Sequence, residues 1–303
     1  MTRSVHLLRA GIQTTVQDAG RPEWTGLGVP IGGALDPEAL AIANRNVGNP
    51  ANAAGLEITL QGPRLRFSAP ATLSLVGGEV PVTLNGGEVR QPGQIAVPAG
   101  GEVDIGWFRS GCRGWLAVSG GLKVPEVLGS RATCLSAGLG GWEGRALRAG
   151  DVLPLGEVSG DPPAKPEIWR LPDLEAPVRL LPGPEIREFP PESLGRLLSQ
   201  PFTVTPESNR MGLRLRGPAL RRCAGFPEML TGPVLPGTLQ VPAEGQPILL
   251  LADAQTTGGY PRLAVVAASE LPRLAQLRPG SVLRFCDGSS LSGVQPMDLT
   301  SRP

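Results

Sequence analysis

The chain predicts a mainly β protein built as two successive domains, and three observations carry that prediction. Its 303 residues exceed what a single hydrophobic core usually organises, so two domains of roughly 150 residues each are expected. Glycine and proline, 42 and 33 residues, punctuate short apolar runs without a fixed period, which marks a turn-rich globular protein. The runs are of strand length and end in turn residues.

In the first half, strands are expected at 4–8, 56–60, 71–76, 94–98, 102–108 and 114–118, a barrel or sandwich rhythm. One segment breaks it. Asp36 reads as an N-cap, Pro37 as the first helical residue and Glu38 as an early acid; Leu40, Ile42, Ala43 and Val47 follow, and Gly48 is a stop. The stretch 156–174, rich in proline, glycine and charge, reads as a linker. This places the domains at 1–160 and 175–290, with a tail at 291–303. The second half repeats the rhythm at 178–181, 202–205, 212–216, 247–252, 263–267 and 281–285, with helices at 191–199 and 269–277, where Pro272 is tolerable in a first turn. Three echoes occur in the same order in both halves: Leu60-Gln61-Gly62-Pro63-Arg64-Leu65 with Leu215-Arg216-Gly217-Pro218-Ala219-Leu220, Val97-Pro98-Ala99-Gly100-Gly101 with Val241-Pro242-Ala243-Glu244-Gly245, and Gly150-Asp151-Val152-Leu153 with Gly280-Ser281-Val282-Leu283. They read either as coincidence in a Gly/Pro-rich chain or as the trace of a duplication.

Charge and residue scarcity exclude whole classes of function. Lys+Arg 28 against Asp+Glu 27 leaves a net charge of +1, and no window concentrates one sign, so nucleic acid and anionic membranes are excluded as main partners. The N-terminus lacks a signal-like apolar core and no long apolar run occurs, so a cytoplasmic protein is expected. Cysteines 112, 134, 223 and 286 have no metal-binding spacing and read as reduced. His6 is the sole histidine, Lys123 and Lys165 the sole lysines. No metal site and no Walker A phosphate loop are expected, and any anion must be met by arginines or backbone amides.

The densest polar cluster in an apolar setting follows the run 248–252: Asp253, Gln255, Thr256, Thr257, Gly258, Gly259 and Tyr260. A buried strand there delivers a carboxylate, an amide and two hydroxyls into a turn whose glycines let backbone N–H groups approach a ligand. The plainer reading is a tight turn that satisfies itself. A companion loop, Ser208-Asn209-Arg210-Met211, precedes the strand at 212–216; Arg210 offers a fork of donors to a carboxylate, carbamate or phosphate, with Ser208 adding a hydroxyl. The alternative is a solvated arginine and a local turn. In the first half Gln17, Asp18 and Arg21 lie in a polar, glycine-shaped loop, where Asp18 and Arg21 are able to pair with each other. Glu57, opening an apolar strand, either pairs at a barrel mouth or faces a ligand. The loop 287–293 reads as a turn.

Taken together, Gln13-Thr14-Thr15-Val16-Gln17-Asp18, Gly20-Arg21-Pro22, Leu56-Glu57-Ile58-Thr59-Leu60, Gly114-Trp115-Leu116-Ala117-Val118-Ser119-Gly120-Gly121, Val127-Leu128-Gly129-Ser130-Arg131, Leu180-Leu181-Pro182-Gly183-Pro184, residues 208–215 and 255–261 resemble the KipA family. This family is also called allophanate hydrolase subunit 2-like or biotin-dependent carboxyltransferase-like, and it includes the C subunit of 5-oxoprolinase. The resemblance spans about residues 7–290 and implies two tandem cyclophilin-like β-barrels with a few short helices. It implies one component, inactive alone, of an ATP-dependent hydrolase, a 5-oxoprolinase that converts 5-oxoproline to glutamate with KipI-like and LamB/YcsF-like partners. ATP would be used by the complex, at a site shared with a partner, and biotin would not be attached to this chain. On this reading Asp253, Gln255 and Arg210 act in catalysis, while Ser208, Gln240, Thr256, Thr257, Gly258, Gly259, Gln17, Asp18 and Arg21 bind substrate. Two alternatives stay open: a non-catalytic antagonist of a KipI-like kinase inhibitor, and the carboxyltransferase component of a urea carboxylase/allophanate hydrolase-type system. Thr231 stands where the family often has a glutamate, which bears on the substrate.

Overall fold

A computed structural model describes residues 3–89 and 93–288; most of the expected turn at 287–293, and the tail at 291–303, lie outside the described residues. The chain divides into two compact units, Met1–Glu23 with Ile31–Pro172, and Trp24–Pro30 with the residues from Asp173 on.

The first unit is built on two antiparallel sheets. One runs in the order Val152–Pro154, Ser4–Arg9, Arg64–Phe67, Glu102–Ile105, Val82–Leu84, Gly87–Val89; the other in the order Gln13–Gln17, Gly55–Thr59, Arg113–Val118, Ala71–Gly77, Gln94–Val97. Alternation decides which face is buried: in Arg64–Phe67, Leu65 and Phe67 enter the core while Arg64 and Arg66 reach out to Glu102. Leu7, Leu65, Phe67 and Ile105 from the first sheet meet Leu56, Ile58, Leu73 and Leu116 from the second in one apolar core.

The expected helix is present as Pro37–Arg45, with Asp36 Oδ1 accepting from the Ala39 amide at 2.9 Å and Gly48 at φ 74°. Its apolar face, with Leu40 and Ala43 buried, packs on the strands Arg113–Val118 and Ala71–Gly77. Burial raises the Asp36 carboxyl above its usual range, opposed by the Ala39 amide and the Trp169 indole. Two expectations are corrected. Gln17, expected in a loop, instead ends a strand, Gln13–Gln17, absent from the expected strands, whose polar side chains find partners: Thr14 Oγ1 donates to the Ala10 carbonyl at 2.6 Å, and Gln17 Nε2 to the Thr133 carbonyl at 3.0 Å. The proline-rich stretch after 156 belongs to the first unit as far as Pro172, tied down by a two-pronged bond from Arg45 to Glu167 and by Asn46 Oδ1, which accepts the Glu167 amide at 2.7 Å.

The second unit is built on one eight-stranded sheet in the order Val282–Leu283, Phe202–Val204, Gly212–Arg216, Ile248–Leu250, Thr238–Gln240, Arg262–Val266, Val178–Pro182, Phe285–Asp287. Its two edge strands are separated in the chain by Arg284 alone, so one continuous segment joins both edges and the sheet curls into a nearly closed barrel, which leaves almost no open edge. Phe202 and Phe285, tilted rings 5.9 Å apart, pack beneath that seam. The helix Pro191–Ser199 falls where expected. The second expected helix is one α-turn, Leu271–Leu274, after a 3-10 turn at Ala268–Glu270; the chain then continues in i→i+3 turns through Leu277.

Two of the three echoes occupy matching places. Gly101 and Gly245 donate to the carbonyls of Pro98 and Pro242 at 3.0 and 2.9 Å, and Gly150 and Gly280, at φ 94° and 89°, precede the edge strands Val152–Pro154 and Val282–Leu283. Only glycine adopts that left-handed backbone without strain.

Asp36→Ala removes the N-cap and is expected to lower stability by about 1 kcal/mol, with Asp36→Asn restoring most of it. Urea unfolding of the two variants checks this.

Candidate functional site

Three neighbouring strands of the second unit set out the site. Arg214 stands opposite Ile248, and Ile248 opposite Gln240, so these side chains form one row across the sheet on a common face. Gly212 stands opposite Leu250 one step along the same face. Over this row lies a cleft of about 220 Å³ whose walls include Asn209, Arg214, Gln240, Ile248, Gln255 and Tyr260. Gln240 is buried and its Nε2 donates to the Tyr260 carbonyl at 3.2 Å. Gln255 Nε2 reaches Gln240 Oε1 at 3.5 Å, so the two amides stand side by side with lone pairs and N–H groups still available.

The loops at 205–211 and 251–261 do meet, and the agents are two residues the sequence singled out separately. Arg210 Nε and Nη2 donate to the two oxygens of Asp253, both at 2.9 Å, with both side chains buried. The main chain repeats the connection: Asp253 N donates to the Arg210 carbonyl at 3.1 Å and Leu251 N to the Met211 carbonyl at 2.9 Å. Arg210 and Asp253 therefore face each other rather than the cleft, and neither is among its walls. Ser208 is engaged locally, its Oγ accepting the Arg214 amide at 3.0 Å, which is the local-turn reading.

The turn 256–260 divides two cavities. Gly232–Pro233 pairs with Thr257–Gly258, and Val234 N donates to the Thr256 carbonyl at 3.0 Å. Gly258 is closely approached: a Cβ there would stand 2.5 Å from Gln240 Nε2, so the buried amide of Gln240 would have to shift to admit one. Gly259 is bare in open space: the nearest atom to a Cβ would be Thr231 Oγ1 at 3.8 Å. Beyond it lies a larger cleft of about 520 Å³, with Phe189, Arg221, Met229, Val241, Gly259 and Tyr260 among its walls. Arg262 anchors this side. Its guanidinium grips both oxygens of Glu185 at 2.6 and 2.9 Å and the Pro233 carbonyl at 2.7 Å, and holds the Glu185 carboxyl below its usual range.

The candidates from the first half brace a loop of their own unit. Gln17 Nε2 donates to Thr133 O; Asp18 accepts from Gly20 N, Ser130 Oγ and Arg131 N; Arg21 donates to the carbonyls of Val127 and Ala132 at 3.3 and 2.6 Å. Asp18 and Arg21 thus do not pair with each other, because each is used by the segment 127–133. Glu57 pairs rather than facing a ligand: its Oε2 accepts from Leu35 N at 2.8 Å and Trp115 Nε1 at 3.0 Å, with Arg113 Nε 3.8 Å from Oε1. His6 Nε2 lies 3.2 Å from Ser4 Oγ. Among the described residues no three His, Cys, Asp or Glu side chains gather where a metal could be held, and no helix is long and apolar enough to cross a membrane. Tyr260, part of the polar cluster read from the sequence, and Arg214, which the sequence did not single out, are both walls of the cleft. The signal for Arg214 was the outward phase of the 212–216 strand, in which Leu213 and Leu215 are buried.

Comparison with known proteins agrees with this architecture. Residues 27–287 match the family model described as carboxyltransferase domain, subdomain A and B. The chain is 41% identical over 283 residues to the C subunit of 5-oxoprolinase from Escherichia coli K12, covering 92% of this chain and 89% of that protein. It is 36% identical to the protein of the same name from Haemophilus influenzae, covering 93% and 90%. The crystal structure of the Kluyveromyces lactis urea carboxylase superposes with a TM-score of 0.87 at 32% identity, over 94% of this chain but only 27% of that one. A mainly β chain whose match runs through both units belongs to the carboxyltransferase domain family, subdomains A and B.

Proposed function

We propose that the chain is the C subunit of an ATP-dependent 5-oxoprolinase, working in the cytoplasm with a KipI-like and a LamB/YcsF-like partner to convert 5-oxoproline to glutamate. The observation that carries this reading is the pair of glutamine amides, Gln240 and Gln255, set side by side in a cleft of about 220 Å³. A lactam presents one N–H and one C=O, and two primary amides offer the matching acceptor and donor. The similarity to two proteins named as the C subunit of 5-oxoprolinase, each covered nearly end to end, supports the same substrate.

An unstrained lactam resists water. Phosphorylating its oxygen, with ADP leaving, opens the ring carbon to water; the ring C–N bond then breaks with the nitrogen departing as the amine, and a second water releases phosphate. In this scheme Gln240 and Gln255 hold the amide in place, and the turn at Thr256, Thr257, Gly258 and Gly259 brings backbone close to it, as oxyanion sites do. Arg210 and Asp253 act as positioning residues beneath, and Ser208 as a brace of the strand. Gln17, Asp18 and Arg21 are assigned to shaping the first unit. The cleft suits a small amide and not a nucleotide, and two lysines without a glycine-rich loop make no phosphate cradle. ATP is therefore assigned to a site completed by a partner, and the chain alone to inactivity. A second reading, a carboxyltransferase component of a urea carboxylase-type system, draws on the TM-score of 0.87 to the Kluyveromyces lactis enzyme; it would require carboxybiotin delivered by another chain. A non-catalytic antagonist of a KipI-like protein would bind that partner without turnover.

Three outcomes are expected. The purified chain releases no phosphate from ATP with 5-oxoproline, and the mixture with both partners does; an inactive mixture removes the reading, and activity only with a biotinylated partner and urea establishes the second one. Gly259→Ala leaves thermal stability within about 0.5 kcal/mol, since its Cβ meets only open space, yet raises KM for 5-oxoproline. Gly258→Ala lowers stability by about 1–3 kcal/mol through overpacking against Gln240. Melting curves and steady-state kinetics on the two variants separate these effects.

A further inference from the structure

We infer that Arg214, not Arg210, is the residue that recognises the negative charge of the ligand, and that the cleft selects small molecules carrying both an amide and a carboxylate. The inference rests on the proposed amide-binding role of Gln240 and Gln255 and adds to it a second recognition point.

The register supplies the geometry. Arg214, Ile248 and Gln240 occupy directly opposed positions on three adjacent strands, and adjacent strands lie about 4.8 Å apart. Cation and amide thus flank an apolar floor of one side chain, Ile248, at roughly twice that spacing. A compact ligand that carries its carboxylate beside an amide, as 5-oxoproline does, covers part of such a row, and the long, flexible arginine side chain reaches across Ile248 for the remaining distance.

The pairing of charges points the same way. Arg210 has both prongs of its guanidinium on Asp253. Arg262 is on Glu185 and Pro233, and Arg222 on Glu188. Arg214 is a wall of the 220 Å³ cleft, and its guanidinium makes no hydrogen bond or ion pair with any described residue, its bonds being those of its main chain with Ser208 and Thr205. The nearby carboxylate Glu207 is exposed, and Arg216 and Arg214 act on it only through space. Arg214 is therefore the cation in the cleft whose fork of donors stays available for a bidentate carboxylate.

The test compares two probes on the reconstituted enzyme, this chain with both partners: 5-oxoproline as substrate, and 2-pyrrolidinone, the same lactam without the carboxylate, as competitor. Arg214→Gln is expected to raise KM for 5-oxoproline about 10–100-fold, the worth of a charge-assisted bond, while the Ki of 2-pyrrolidinone changes less than about threefold. Arg214→Lys, which keeps the charge and loses the fork, falls between. Arg216→Gln, one repeat along the same strand and outside the cleft, leaves both constants unchanged and reports any general loss of positive field. Equal shifts for both probes in Arg214→Gln, or none for either, overturn the assignment while leaving the amide site standing. If the wild-type enzyme does not turn over 5-oxoproline, the proposed function fails. Calorimetric titration of the full chain with N-carbamoylglycine against urea then decides the point: tighter binding of the carboxylate, lost in Arg214→Gln, upholds the inference, and equal or absent binding overturns it.

Discussion

The buried ion pair of Arg210 with Asp253 is the constraint on which the cleft depends. Each residue stands at the end of a loop that leads into or out of a barrel strand, and the fork of the arginine holds both carboxylate oxygens at 2.9 Å. Removing one partner of such a pair strands the other charge in the interior, at a cost of about 3–5 kcal/mol. With the pair intact, the main chain from Asn209 to Gly212 is held against the segment Leu251–Asp253, and the row of Arg214, Ile248 and Gln240 is set in register. The pair shapes a site that it does not enter.

This division between charges that build and charges that remain available recurs through the chain. In the first unit Glu57 ties Leu35, Trp115 and Arg113 together in the interior, and Asp18 and Arg21 each hold the segment 127–133. In the second, Arg262 links Glu185 to Pro233 and so carries the short strand Gly232–Pro233 against the turn at Thr257–Gly258. A chain this rich in glycine and proline has few long elements to lock its loops, and side-chain to backbone bonds from arginine and carboxylate supply that rigidity.

Much of this was legible before any coordinates. The strand Gly212–Arg216 and the helix Pro191–Ser199 fall where the apolar spacing and the leading proline put them, and Asp36-Pro37 announces its helix by capping chemistry. Polar strands were harder: Gln13–Gln17 carries threonine and glutamine at buried positions, and only long-range partners such as Thr133 make that burial tolerable. Sequence also singled out the segments around 210 and 253, but did not show that their two charges face each other. Contact between residues 43 positions apart leaves no local trace. Arg214 was overlooked for the opposite reason, since an outward arginine on a strand resembles any solvated one until the facing row is known.

The most direct test of the account is to replace the ion pair with apolar side chains of similar bulk, Arg210→Met together with Asp253→Leu, and to follow stability and turnover of the reconstituted enzyme. If the pair only positions the loops, each single substitution loses both properties, whereas the double variant regains most of its stability and keeps kcat within about tenfold, as apolar replacements of buried ion pairs commonly do. A double variant that is as stable as the parent but catalytically dead would show that Arg210 or Asp253 meets the reacting molecule, and would contradict the account.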